Sequence, residues 1–375
     1  MLAGVCLIAA TALAEWTPDA RRCARKEGSP EERIAACDRA IASGKLSAAD
    51  LATTHYNRAL EWRARREDDK ALADYGEAIR INPKYALAHN NRGVVLFDKG
   101  ELEGALASFD RAIRLDPKYA YAYNNRGNTW GSKGEYDRAI ADFSEAIRLD
   151  PKYGYAYSNR GIAWRKKYQY ERAVADLTEA LRTVGGNEIP HRNRGYANFF
   201  LGRFEAAAGD FAKSAALEPN LHTTIWQQLA RARAAQDAAA AQRELSALRR
   251  SWPMATLFDY FTGRIDTDSL RRELVEGAVA LREEWPVPAM DFLAGRIDAA
   301  ALLKAAEDTD KTIQSERSCD ANYYIAQRHL AAKRLAEARA YLQQAEKSCP
   351  KDLIAYEGAV AELKRRPAVV RESRR

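Results

Sequence analysis

A period of 34 residues, held across positions 52–221, constrains this chain more than any other feature, because self-similarity at a fixed spacing sets the architecture before local propensities are weighed. The clearest unit, 120–153, reads AYAYNNRGNTWGSKGEYDRAIADFSEAIRLDPKY, with Gly127, Gly134, Tyr136, Ala139, Phe143, Ala146 and Pro151 at its small, aromatic and turn positions. Unit 86–119 repeats them as Gly93, Gly100, Leu102, Ala105, Phe109, Ala112 and Pro117. Unit 52–85 supplies Ala59, Trp62, Ala71, Tyr75, Ala78 and Pro83, and unit 154–187 supplies Gly161, Trp164, Tyr170, Ala173, Leu177 and Ala180. Unit 188–221 carries Gly195, Gly202, Phe204, Ala207, Phe211 and Pro219. Ser214 stands there where Ala is usual, and Gly185-Gly186 replaces the terminal Pro of the unit before.

Small residues at the eighth, twentieth and twenty-seventh positions let two helices of a hairpin approach closely. The aromatic residue at the twenty-fourth fills the space between them, and Pro at the thirty-second stops the second helix. The pattern resembles the tetratricopeptide repeat family across all five units. That resemblance implies an all-α fold: a right-handed α-solenoid of TPR helical hairpins, with an irregular helical C-terminal region after it. No hairpin buries its apolar face alone, so neighbours stack and create a concave groove.

Two columns stand out. Every unit has Asn-Arg at its sixth and seventh positions: Asn57-Arg58, Asn91-Arg92, Asn125-Arg126, Asn159-Arg160 and Asn193-Arg194. Helix pairing sets the seventh position level with the twenty-third, occupied by Asp74, Asp142, Asp176 and Asp210, so each Arg is expected to hold an Asp across its hairpin. Arg92 meets Ser108 instead. In the family it resembles, the second, fifth, sixth, ninth and thirteenth positions line the groove. Here they give the candidate partner-binding residues Asn90, Asn91, Tyr121, Asn124, Asn125, Asn128, Tyr155 and Asn159. Asn offers donors and an acceptor to the backbone of an extended peptide, and Tyr offers apolar contact. The other reading of the Asn column is bonding to backbone that sets the angle between repeats. The carboxylate clamp of chaperone-tail adaptors is absent, since no window has its Lys, Asn and basic residues at the right positions.

Several chemistries are missing. The residues His55, His89, His191, His222 and His329 never reach metal-ligand spacing, and there is no phosphate-binding glycine loop or nucleophile elbow. Acidic pairs sit beside Arg or Lys, as solvated ion pairs do. The expectation is no enzyme, no cofactor, no metal and no small-molecule substrate. The 59 basic and 52 acidic residues interleave along helices, so a net charge of +7 forms no basic stripe, and nucleic-acid binding is not expected.

Residues 2–14 form an uncharged apolar run, and Ala12-Leu13-Ala14 before Glu15 fits the small-x-small cleavage rule, so 1–14 reads as a signal peptide. Cys6 follows Val5 and has no lipobox around it, and no later stretch could span a membrane as a helix. The mature chain keeps Cys23, Cys37, Cys319 and Cys349, for which three pairings exist. Cys23 and Cys37 flank the turn at Gly28-Ser29-Pro30, and Cys319 and Cys349 end one helical hairpin, so disulfides 23–37 and 319–349 are expected. Each would stabilise by roughly 3–4 kcal/mol through loop closure. These features place the protein in the periplasm or outside the cell; the alternative is the cytoplasm, with four reduced thiols.

Around the repeats, 15–51 reads as an N-terminal capping hairpin, 222–318 as an irregular helical linker, 319–366 as a repeat-like hairpin with a capping helix, and 367–375 as a basic tail. The linker holds a short duplication: Trp252-Pro253 with Phe258, Phe261 and Gly263-Arg264-Ile265-Asp266, then Trp285-Pro286 with Phe292 and Gly295-Arg296-Ile297-Asp298. Each Asp is an N-cap candidate. The segments WPVPAMDFLAGRID, NYYIAQRHLAAKRLAEARAYLQQAE and YEGAVAELKR resemble the C-terminal part of NlpI-type periplasmic lipoproteins. That resemblance implies an adaptor that brings envelope hydrolases and proteases together, although a lipid anchor is not expected without a lipobox. The function expected is an exported scaffold that holds an extended segment of a partner protein. The rivals are a cytoplasmic scaffold of the same fold and a regulatory subunit of a cell-envelope enzyme.

Overall fold

In the computed structural model, residues 17–25, 28–235, 289, 292, 297–308, 310–332, 334–351 and 353–364 are described. The signal segment, Cys6, both Trp-Pro dipeptides with Phe258 and Phe261, Asp266 and the basic tail lie outside them. The described residues form helices and turns, with no strand among them. The chain divides into two units, Met1–Arg160 and Gly161–Arg375.

The first unit holds α1 (Pro18–Ala24), α2 (Pro30–Ala42), α3 (Ala48–Ala64), α4 (Asp68–Ile81), α5 (Ala86–Asp98), α6 (Leu102–Leu115), α7 (Ala120–Ser132) and α8 (Tyr136–Leu149), and the division falls within α9 (Gly154–Lys166). Short turns make α3 with α4, α5 with α6, and α7 with α8 antiparallel hairpins. Chain chemistry explains the breaks. In 116–119 and 150–153 the Asp carboxylate accepts from the Lys amide two residues on, at 3.0 Å, and the adjacent Pro stops the helix. Ser29 opens α2 with a capping box to Glu32, and Ser47 caps α3, whose first residue is Ala48, upstream of the repeat boundary at 52.

Packing inside each hairpin is one contact used repeatedly. A β-carbon on Gly93 would lie 2.7 Å from the Phe109 ring, and one on Gly127 would lie 2.7 Å from Phe143. The close approach excludes any side chain there, which is the role expected of the eighth position. In the first repeat Ala59 takes that place beside the buried Tyr75.

The second unit continues with α10 (Tyr170–Thr183), α11 (Glu188–Phe200), α12 (Phe204–Leu217), α13 (Leu221–Ala235), α14 (Ala299–Ala305), α15 (Lys311–Ala331), α16 (Leu335–Ser348) and α17 (Ile354–Lys364). Its core centres on the fully buried Trp226, whose ring meets Tyr196, Phe199, Phe200 and Tyr323 within 5.8 Å. Asp298 caps α14, accepting from Ala301 at 2.8 Å. The last hairpin starts earlier than Cys319: α15 begins at Lys311, because Asp310 caps it there. Cys319 therefore lies inside a helix and not at its start, opposite the C-cap Cys349. The cysteines approach as 23 with 37 and 319 with 349, with Cα atoms 4.9 Å apart in each pair.

Candidate functional site

In the first unit, the odd-numbered helices of successive hairpins are joined by a ladder of side-chain bonds. Asn91 donates to the Tyr56 hydroxyl at 2.9 Å, Asn125 to the Asn90 amide oxygen at 3.0 Å, and Asn159 to the Asn124 amide oxygen at 3.0 Å. The rule is simple: the sixth position of one repeat binds the fifth of the repeat before. Asn90 also donates to Asn91 at 3.0 Å. In the second unit Asn193 bonds to its own helix, donating to the Ile189 carbonyl.

The ladder divides the candidate groove residues. Asn90 and Asn124 are 3% and 4% exposed, so their amides are closed to a ligand. Their expected place on the groove surface is corrected: each sits in the joint between two repeats. The bonding partners are also side chains, where the alternative reading had backbone. Asn91, Asn125, Asn128 and Asn159 are half-buried. Tyr121 and Tyr155 are exposed at 41% and 40%, large for aromatic side chains in a packed repeat.

These tyrosines continue into an aromatic ledge that the repeat positions lining the groove do not include. Tyr121 meets Tyr153 with ring centroids 4.8 Å apart, Tyr119 meets Tyr121 at 6.2 Å, and Tyr153 meets Tyr155 at 6.4 Å. Tyr56 and Tyr85 lie 5.0 Å apart by the same measure. The signal was present, since Tyr85, Tyr119 and Tyr153 close three consecutive units at their thirty-fourth position. Burial, reinforced by neighbouring phenols, pushes the Tyr119 and Tyr153 hydroxyls well above their ordinary range, so they stay protonated. Such a face combines amide donors and acceptors with apolar ring surface and carries no charge of its own.

The Arg column is structural. Arg58 grips Asp74 through two nitrogens at 2.7 Å, Arg126 grips Asp142 at 2.6 and 2.8 Å, and Arg194 grips Asp210 at 2.7 and 2.9 Å. The remaining nitrogen reaches back one hairpin: Arg58 to Asp38 at 2.6 Å and Arg126 to Asp110 at 2.7 Å. Arg92 meets the Ser108 hydroxyl at 3.2 Å, as the sequence implied. Burial of Asp74 opposes its charge, but hydrogen bonds from Arg58 and His55 outweigh that and hold the carboxyl below its usual range. Among the described residues, no group of three metal-ligating side chains converges, and no helix is long and apolar enough to cross a membrane.

A family model described as TPR repeat matches residues 63–100 and 93–130, and models described as tetratricopeptide repeat match 120–153 and 292–352. The chain therefore carries tetratricopeptide repeats, in both units. No curated protein matches it. Among solved structures it is similar to PilW, a widely conserved type IV pilus biogenesis factor (22% identity, 60% of this chain and 98% of that one, TM-score 0.48). It is also similar to pilF of Pseudomonas aeruginosa (19% identity, 58% of this chain and 100% of that one, TM-score 0.48). A third is YrrB, a TPR protein with an unusual peptide-binding site (19% identity, 51% of this chain and 97% of that one, TM-score 0.42).

Proposed function

We propose that this chain is an exported, non-catalytic scaffold that holds an extended segment of a partner protein against the tyrosine and asparagine face of its first unit. The observation that carries the reading is the exposure of Tyr121 and Tyr155 beside the half-buried Asn125, Asn128 and Asn159. Tyrosine rings supply apolar area at low entropic cost, and amides accept and donate to a peptide backbone without demanding one sequence. Export is the second part of the proposal. It draws on the apolar run ending at Ala14 and on two cysteine pairs close enough to form disulfides, which persist in oxidising compartments. A resemblance of the C-terminal segments to NlpI-type lipoproteins, read from the sequence alone, would make the chain an adaptor of the cell envelope.

The binding test is a displayed library of unstructured peptides panned on the native chain and on Tyr121→Ser/Tyr155→Ser. Because both rings are exposed, the variant keeps its fold, and the selected peptides lose their binding. Retained binding would move the site elsewhere. N-terminal sequencing and thiol counting test export: a chain starting at Glu15 with no reactive thiol before reduction supports it, and an uncleaved chain with five reactive thiols overturns it.

A further inference from the structure

The second unit already contains a bound helix. Seven residues of α17 are buried: Ala355 and the consecutive run Glu357, Gly358, Ala359, Val360, Ala361 and Glu362, so the helix is enclosed on all sides. Helices α15 and α16 lie against it, and the odd-numbered helices α9, α11 and α13 supply the remaining contacts. Glu357 pairs with Arg165 of α9 and, at 2.9 Å, with Lys166. Glu362 pairs at 2.9 Å with Arg233 of α13. Gly358 fits against Tyr323 of α15, where a β-carbon would lie 2.5 Å from the ring hydroxyl, and α11 also touches α17.

Its fully enclosed side chains are mostly Ala and Gly, Ile354, Tyr356 and Leu363 pack partly buried against the surrounding core, and the specific polar contacts are buried ion pairs. Such pairs contribute little net stability compared with apolar residues of the same volume, but they discriminate strongly against a partner lacking the charge. A second feature sits at the edge of the site. The fifteenth position of the repeat needs a left-handed backbone and is Gly in three units, at Gly100, Gly134 and Gly202. In unit 154–187 it is Tyr168, at φ 60°, and its ring lies 5.0 Å beneath the Lys364 ammonium of α17. A bulky residue in that conformation is strained, and its ring packs both on Tyr170, at 6.4 Å between centroids, and under Lys364 of α17.

We infer that the inner face of the second unit is a receptor for an acidic, small-residue helix with two glutamates five positions apart, filled in cis by α17 and open in trans to a partner protein's helix of the same chemistry. Charge complementarity chooses the occupant: Arg165, Lys166 and Arg233 require carboxylates, and Tyr323 requires Gly between them.

The test uses the full chain. In Glu357→Gln/Glu362→Gln, amide exchange in 353–364 accelerates by at least about thirtyfold, the effect of truncating buried charge pairs, while α9–α13 stay protected. A fluorescent synthetic peptide of residues 353–364 then binds this variant, binds the native chain at least about thirtyfold more weakly because its site is filled, and fails to bind with both glutamates changed to glutamine. Tyr168→Gly relieves strain and cannot unfold the unit, yet speeds exchange in α17 about two- to fivefold through loss of the cation–π contact. Loss of protection in α9–α13 together with α17 would make the helix a structural core element and overturn the inference. So would equal binding of the glutamine peptide, or no binding of either. A variant that becomes a dimer by exchanging α17 would make a second copy the occupant, and the partner assignment would fall.

Discussion

Asn125 donates its amide to the Asn90 oxygen at 3.0 Å, and Asn159 does the same to Asn124 one repeat later, also at 3.0 Å. Because Asn90 and Asn124 are buried, each bond satisfies an acceptor that water does not reach. The asparagine column therefore sets the spacing of neighbouring hairpins before it offers anything to a ligand.

Asn125→Ala should leave the Asn90 oxygen without its donor and cost about 1–3 kcal/mol. Asn128→Ala, at a half-buried site outside the ladder, should stay within about 0.5 kcal/mol. Urea denaturation of both variants checks this, and equal effects would remove the ladder's role. Groove-directed substitutions belong at Tyr121 and Tyr155, since changing the ladder alters binding and architecture together.

Arg92 is half-buried against a hydroxyl where Arg58 and Arg126 have carboxylates, and desolvation lowers its pKa from the ordinary arginine value. Ser108→Asp should supply the missing carboxylate in the geometry that Asp142 already shows, and raise stability by about 1 kcal/mol. A thermal or urea melt decides the sign. A loss would mean that the Ser108 bond to the Gly104 carbonyl, at 2.8 Å, outweighs the new pair.

Two glycines of the first unit should respond in opposite directions. Gly93→Ala drives a methyl into the Phe109 ring and should cost about 1–3 kcal/mol. Gly131→Ala lies within α7 with nothing inside 4 Å, and should gain roughly 0.5–1 kcal/mol from helix propensity. Paired denaturation curves check both signs.

His222 accepts from the Trp226 indole at 3.1 Å, and burial, helped by Arg192, lowers its pKa to about 4. Unfolded histidine titrates near 6.5, so the unfolded chain takes up a proton in this window that the folded chain refuses. The stability from this site is complete above pH 6.5 and is lost as the pH falls towards 4, by at most about 3 kcal/mol. His222→Gln keeps an acceptor for Trp226 and removes the titration. The native chain should therefore lose more stability than the variant between those pH values, measured by urea midpoints.

The hairpins were legible in the sequence because their determinants are local and periodic: Gly93 and Phe109 fall sixteen residues apart in one unit, as Arg126 and Asp142 do. Burial of Asn90 and Asn124 was not, because the ladder couples residues 35 apart, in different repeats. The tyrosine ledge fell between these cases, since its thirty-fourth position belongs to the turn and not to the helix lining the groove. The acidic helix in the second unit was legible only as a capping helix. Arg165 and Glu357 are separated by 192 residues, with no repeat to relate them.

The repeated glycine–aromatic contact has an evolutionary consequence. Gly93 with Phe109 and Gly127 with Phe143 are the same joint made twice, each complete inside one 34-residue segment. Such a segment can be copied or deleted as a cassette, bringing its own fit with it, so descendants can lengthen or shorten the first unit by whole repeats. The second unit lacks that freedom. Its acidic helix is gripped by particular side chains of α9, α13 and α15, and a cassette gained or lost between them would separate the basic residues from the glutamates they hold.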